Sequence, residues 1–426
     1  MSQAHRSDPL CDTPDPPTKQ TRSKVAADPV PNGIWRTAAP AVLAAAWGGN
    51  HYSPMLLLYR RIDGYSSLEV NLFFAFYVLG LIPGFLIAGP LADRYGRRAT
   101  VTAALALGMT GSVILAIFHT SVAGMCAGRL VCGVSVAAAM VAGTSWIKEL
   151  SEHDAEPPAR ARRASLTLTA GFALGAGVSG LLAQWGPAPT ALPYVVHIGL
   201  SALTVIPLLR TPETRRRGPG GRPTLRLNLH LPPGAWRRFV EVVLPMAPWV
   251  FGAPALAFVV GPALVAGQTG DLRIAFATLV AVLTLVTGAS VQPYAPRLAR
   301  LTRGRPGVVG LLLFALATAL LAINAVVLSS LLAVAAALLF GVAYGICIVS
   351  GLAEVQAMST PDSLAGLTGL YWSLTYLGFG LPVLLASLTG LAGYPVLLLF
   401  VTLVALACAV VIGASSPRTS YSSRRS

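Results

Sequence analysis

Twelve apolar blocks of about 20 residues each divide this chain, and that spacing restricts its possible folds more than any other feature. Twenty residues of α-helix rise about 30 Å, the thickness of a hydrocarbon core, so each block is long enough to cross a bilayer. The blocks run over residues 38–59, 67–88, 99–119, 121–146, 165–185 and 191–209, then 241–264, 272–292, 306–328, 331–353, 364–389 and 395–414. Charged residues make up only 11% of the chain, against about 25% in soluble domains. The pattern predicts an all-α membrane protein with twelve transmembrane helices in two pseudo-symmetric six-helix bundles.

Lysine and arginine collect in alternate connections. An N-terminus on the cytoplasmic side places there the basic residues of the first tail, the 2/3 turn (Arg94, Arg97, Arg98), the 4/5 turn (Lys148, Arg160, Arg162, Arg163), the central stretch, the 8/9 turn and the last tail. The outer side keeps Arg60, Arg61 and Arg273. Positive charge stays inside, so both termini are expected in the cytoplasm. The expected units are a disordered tail over 1–36, a bundle over 37–210, a basic flexible linker over 211–238, a second bundle over 239–415 and a tail over 416–426. The first tail has no apolar h-region and does not read as a signal peptide. Arginine far outnumbers lysine, and alanine, glycine and proline abound, which points to a GC-rich bacterial genome and hence to the inner (cytoplasmic) membrane of a bacterium.

A net charge of +15 raises the question of nucleic acid. The arginines lie between membrane spans with no soluble basic domain to dock, so no nucleic-acid partner is expected. Five scattered cysteines show neither metal spacing nor a disulfide framework, and no metal or cofactor is expected. No paired intramembrane carboxylates or metal set marks an enzyme.

The most specific local signal is Gly89-Pro-Leu-Ala-Asp93-Arg-Tyr-Gly96-Arg97-Arg98. Gly89 and Gly96 are expected to let the chain turn tightly between spans, Asp93 to accept hydrogen bonds at a helix N-terminus, and the arginines to hold the turn at the membrane surface. This stretch resembles the signature of the major facilitator superfamily between its second and third helices, and the span count extends the resemblance over essentially the whole chain. The resemblance implies a transporter fold, usually monomeric, and a charge network of Asp93, Arg97 and Glu149 latching an inner gate.

Arg129 falls inside span 4, where a cation costs at least about 2.5 to 3.5 kcal/mol, so it must face a protein interior. It is either a structural arginine bonded to backbone carbonyls or a functional cation. Arg129 and Gly133 also resemble the family's helix 4 pattern, which is associated with proton transfer. Span 5 contains GFALGAGVSG, whose glycines at first sight suggest a dinucleotide site, but no strand precedes them and the segment is membrane-spanning. Gly171 and Gly175 instead permit close helix packing. The decamer is similar to the superfamily's antiporter motif at Gly171, Gly175 and Gly180, with Ala176 and Ser179 departing from it, and this resemblance implies export.

Most membrane aromatics face lipid or the interface. Trp249, Tyr371 and Tyr376 sit deeper in spans 7 and 11 and are candidates for a cavity wall suited to an amphipathic or aromatic substrate. No carboxylate stands in the core: Glu69, Glu241, Asp271 and Glu354 fall near span ends. That leaves WGGNHYSPMLL in span 1, where Pro54 can kink the helix and Asn50 and His51 require a wet cavity because lipid leaves them unsatisfied. Trp47 is expected on the same face as both, with His51 as proton or substrate site, whereas His197 has less polar company. The expected function is secondary active transport by alternating access: export of a small amphipathic organic compound, a drug or natural product, in exchange for protons, with a role in multidrug resistance. The alternative is an importer or facilitator of a sugar, organic acid or peptide, and a polytopic sensor or enzyme is less favoured. The partners are a small-molecule substrate, protons and membrane lipids.

Overall fold

Hydrocarbon length and the placement of proline and glycine account for the helix pattern in the computed structural model, which describes residues 32–214, 235–360 and 363–415. The expectations for residues 1–31, 215–234 and 416–426 lie outside the described residues. Helix and no strand occurs among the described residues. Eleven helices among the described residues are long and apolar enough to cross a membrane: Ser67–Tyr95, Arg97–Ile117, Val122–Leu150, Ala159–Trp185, Leu192–Arg210, Ala235–Leu264, Ala266–Leu301, Pro306–Val327, Ser330–Met358, Gly366–Leu388 and Tyr394–Ala414. They are helices 2 to 12 below. Helix 1 is built from Trp35–Asn50, a 3₁₀ turn at Ser53–Met55 with Pro54 as its second residue, and Leu56–Ile62.

Two halves follow from the neighbour relations. In the first half helix 2 packs on 4, 3 on 4, 1 on 5, 3 on 6 and 1 on 6. Adding six to each number reproduces the second half: 8 on 10, 9 on 10, 7 on 11, 9 on 12 and 7 on 12. The halves meet through helix 5 against 8 and helix 2 against 11, again related by the same shift. Pseudo-symmetry is therefore carried by packing rather than by residue identity.

The crossings are made close by glycines. A Cβ on Gly80 meets the Leu130 carbonyl oxygen at 2.1 Å, and one on Gly133 meets the Tyr77 oxygen at 2.1 Å, so helices 2 and 4 touch backbone to backbone. Helices 8 and 10 repeat this, with a Cβ on Gly345 meeting the Gly288 oxygen at 2.3 Å.

Several expectations about the turns need correction. Gly89 is not in a turn, because helix 2 continues through Pro90 to Tyr95 and only Gly96, at φ +103°, reverses the chain. The span boundaries were also short, since helices 2, 4, 8 and 10 run on beyond their apolar blocks. The start of the expected linker, Thr211–Thr214, is pinned to helices 3 and 4 by hydrogen bonds, and Ala235–Arg238 is already helical and leads into helix 7.

Candidate substrate cavity and the polar clusters beside it

At the face where the 2/3 turn lies, Arg97 is the hub of a charge network. Its guanidinium lies 3.1 Å from the Asp93 carboxylate and 3.2 Å from that of Glu149. Asp93 stands in the last turn of helix 2, four residues before Arg97, so it pairs with the arginine and does not cap a helix. The cap comes from a residue the sequence reading passed over. Glu213 accepts the backbone N–H groups of Arg97 at 2.9 Å and Arg98 at 3.0 Å, satisfying orphan donors at the start of helix 3. Thr214 donates to Glu149, Trp146 donates to the Pro212 carbonyl at 3.2 Å, and Arg98 donates to the Leu209 carbonyl at 3.2 Å. The acid three residues past helix 6 was the available signal. A second pair, also missed, joins Arg238 at the start of helix 7 to Glu354 near the end of helix 10 at 2.9 and 3.0 Å. Shifting by six helices from Glu149 on helix 4 points to helix 10, where Glu354 lies.

Between the halves, a cavity of about 20 Å³ remains, walled by Gly49, Asn50, Phe74, Tyr77, Phe251 and Tyr376 among others. Rings dominate it. Phe251 stacks on Tyr376 at 3.9 Å between centroids, and Phe74 meets Phe379 edge-on at 4.8 Å. Contacts across the halves close both ends. Ser165 donates to Gln292 at 3.2 Å on the side of the charge network, while on the other side Gln184 donates to the Asp271 carbonyl at 2.7 Å and accepts from the Ala275 N–H at 3.1 Å. The halves are thus joined on both sides of the cavity.

The break in helix 1 sends its polar side chains in different directions. Asn50 reaches the cavity wall and donates to the Phe172 carbonyl of helix 5 at 3.1 Å, while its oxygen accepts from Ser53. His51, one residue on and so about 100° around the helix, turns away from the cavity. It is fully buried, edge-on to Tyr194 at 4.8 Å and His197 at 5.1 Å, and neither ring nitrogen has a hydrogen-bond partner among the described residues. Trp47 is buried, does not reach the cavity wall, and its indole N–H likewise has no partner among them. The single shared face expected for Trp47, Asn50 and His51 is not what forms.

His197 also differs from expectation, because it has the richer polar surroundings. Ser112 lies 2.8 Å from its Nδ1, and the Ala44 carbonyl 3.1 Å and Ser201 3.3 Å from its Nε2.

Arg129 is fully buried, and none of its three side-chain nitrogens has a hydrogen-bond partner among the described residues. The carbonyl-bonded arginine is therefore not what forms. Its guanidinium lies against aromatic rings instead, 4.3 Å from the centroid of Tyr77, 4.5 Å from Tyr52 and 5.8 Å from Phe74. Phe74 and Tyr77 also line the central cavity, so these two rings stand between it and the cation.

Two expected cavity residues lie elsewhere. Trp249 packs on Phe314 of helix 9 at 5.0 Å, and Tyr371 is buried against helix 10, donating to the Ile348 carbonyl at 3.2 Å. Tyr376 does line the cavity, its hydroxyl 3.3 Å from the Met140 sulfur. In helix 5, a Cβ on Gly171 meets the Leu43 carbonyl at 2.4 Å and one on Gly175 meets the Trp47 carbonyl at 2.5 Å, whereas Gly180 packs on Thr278 of helix 8. These glycines permit helix 5 to lie directly on helix 1 and on the other half.

A sequence model of the Major Facilitator Superfamily matches residues 38–381. The chain belongs to the major facilitator superfamily. Membership makes this superfamily member a multi-pass membrane transporter and not an enzyme. Its fold is similar to the xylose transporter XylE from E. coli, with a TM-score of 0.68 and 14% identity, covering 90% of this chain and 99% of that one. The nucleoside transporter NupG is similar at a TM-score of 0.65 and 13% identity, covering 90% and 98%. The human organic anion transporter MFSD10 gives 0.60 and 17%, covering 89% and 98%. At those identities the likeness concerns the fold. By sequence, the 4-hydroxybenzoate transporter PcaK of Acinetobacter baylyi is 29% identical over 107 residues, which spans 25% of this chain and 22% of that transporter.

Proposed function

We propose that this superfamily member is a secondary active transporter that moves a small, ring-bearing amphipathic compound through the aromatic cavity by alternating access. The observation that carries this reading is the ring-rich cavity between the halves, with a separate set of inter-half contacts on each side of it. Rings offer large apolar area, and Asn50 and Tyr376 supply orienting polar groups. The face bearing the charge network is the cytoplasmic one, and Asp93, Arg97 and Glu149 hold that end shut. The names of the similar proteins, a xylose, a nucleoside, an organic anion and a 4-hydroxybenzoate transporter, agree with a small organic substrate.

Cysteine pairs test the mechanism. In a background cleared of native cysteines, Ser165→Cys with Gln292→Cys, and separately Gln184→Cys with Asp271→Cys, are cross-linked in proteoliposomes. Each cross-link is expected to stop transport and its reduction to restore it. Undiminished transport through both cross-linked proteins would refute alternating access at this cavity.

Export in exchange for protons is the direction favoured by Gly171, Gly175 and Gly180, which match the antiporter motif. Lower accumulation of a substrate in cells expressing the protein supports it, whereas substrate-dependent growth supports import. His51 is the proposed proton site, and full pH-gradient-driven transport by His51→Ala would remove it from that role.

A further inference from the structure

We infer that Arg129 and the rings around it form the subsite for a carboxylate or similar anionic group, so that the transported compound is an organic anion with an aromatic or otherwise apolar body. The inference rests on the transport reading above and sharpens its substrate class. A guanidinium has five N–H donors and stays charged at any physiological pH. Arg129 is fully buried in helix 4, yet its nitrogens have no hydrogen-bond partner and no carboxylate pairs with it among the described residues. Buried charges in proteins are ordinarily paired and their donors satisfied. The faces of Tyr52, Phe74 and Tyr77 offer a cation attraction through their quadrupoles, but they accept none of the planar in-plane N–H bonds.

A structural arginine is the competing explanation, and the neighbourhood argues against it. In the same half the buried His197 of helix 6 is bonded on both nitrogens, so the interior can supply partners where they serve packing. At Arg129 it withholds them. The unpartnered imidazole of His51 lies in the same interior, giving a further donor for an oxyanion. Phe74 and Tyr77 line the cavity on one side and contact the guanidinium on the other, so once the halves part enough for this space of about 20 Å³ to admit a ring, its anionic substituent comes toward Arg129 past only these two side chains. The planar fork then donates two parallel N–H bonds to the carboxylate, which is the strongest arrangement available to it.

Benzoate, benzamide and benzylamine serve as probes of one size and three charges. Stabilisation of the purified protein against heat, and flux of each labelled probe in proteoliposomes, are measured for wild type, Arg129→Met and Arg129→Lys. Wild type is expected to bind and move benzoate at least tenfold better than the other two. Arg129→Met is expected to melt at the same or higher temperature than wild type while losing at least tenfold in benzoate affinity, with partial recovery in Arg129→Lys. A melting temperature well below wild type for both variants would show that the arginine is structural and overturn the proposal. So would benzoate binding that survives Arg129→Met, or preference for benzamide or benzylamine. Those last results leave the transport reading standing, whereas binding and flux of none of the three probes by wild type would bring down that reading with the anion subsite.

Discussion

Arg97 and Arg129 belong to the same half of the molecule and are held in opposite ways. Arg97 touches two carboxylates and stands at the end of a helix capped by a third, Glu213. Arg129 touches three rings and, among the described residues, no acceptor. His197 and His51 divide in the same manner, the first bonded on both nitrogens and the second without a partner among the described residues. The satisfied clusters tie helices together through named partners, and on the reading proposed above the free donors of Arg129 are there for the substrate. The second half offers a further contrast, since Tyr371 there finds a helix 10 carbonyl and Arg238 a bidentate acid.

The largest expected effect breaks the frame that holds the Arg129 cage. Gly133→Val forces a side chain into the Tyr77 carbonyl. It is expected to cost about 3 kcal/mol or more, at the upper end for overpacking, and to abolish a monodisperse peak in detergent. A stable, transport-competent Gly133→Val protein would refute the close crossing of helices 2 and 4.

Next comes the bonded histidine against the unbonded one. His197→Phe strands the Ser112 hydroxyl and is expected to lower stability by about 1 to 3 kcal/mol, the cost of an unmet buried group. His51→Phe loses no bond and is expected to leave the melting temperature unchanged. Equal destabilisation by both would erase the distinction.

Breaking the Arg97 network is expected to cost less stability and more function. The Asp93 carboxylate is about a third exposed, and such ion pairs contribute up to about 1 kcal/mol each. Glu149→Gln is therefore expected to fold normally, yet to expose the cavity side of Ser165→Cys to labelling from the charge-network face several times faster. Unchanged labelling would show that the network braces helices without closing that end.

The smallest effect concerns Asp154 in the 4/5 turn. A hydrogen bond from Arg163, then one from the Gly33 N–H, holds its carboxyl below the usual carboxylate range. Its folded-state affinity for a proton is thus lower than its unfolded one. The stability it adds is present at neutral pH and disappears as pH falls through that lowered range. Asp154→Asn is expected to flatten the acid limb of the stability profile slightly, and an unaltered limb would remove Asp154 from it.

Much of the fold was legible because membrane constraints act locally. Apolar length sets the spans, and alternate basic connections follow the helices in order. Even the break at Trp47 to Leu57 was written in Pro54, although its consequence, separating Asn50 from His51, was not. The candidate site was legible only in residue type. Asn50 and Tyr376 line the cavity and Arg129 lies behind two of its rings, whereas Trp249 and Tyr371 share their chemistry and face other helices.

The sequence by itself determined the number of spans, the two halves and the presence of one cation deep in helix 4, since these depend on length, periodicity and the cost of charge in hydrocarbon. Tertiary structure alone decided which polar groups are satisfied. Partners such as Glu213 for Arg97 and Ser112 for His197 lie far off in the chain, and only helix crossing angles and close glycine contacts bring them together or keep them from Arg129. A hydrogen bond requires a placement within about 3 Å, and that precision belongs to packing.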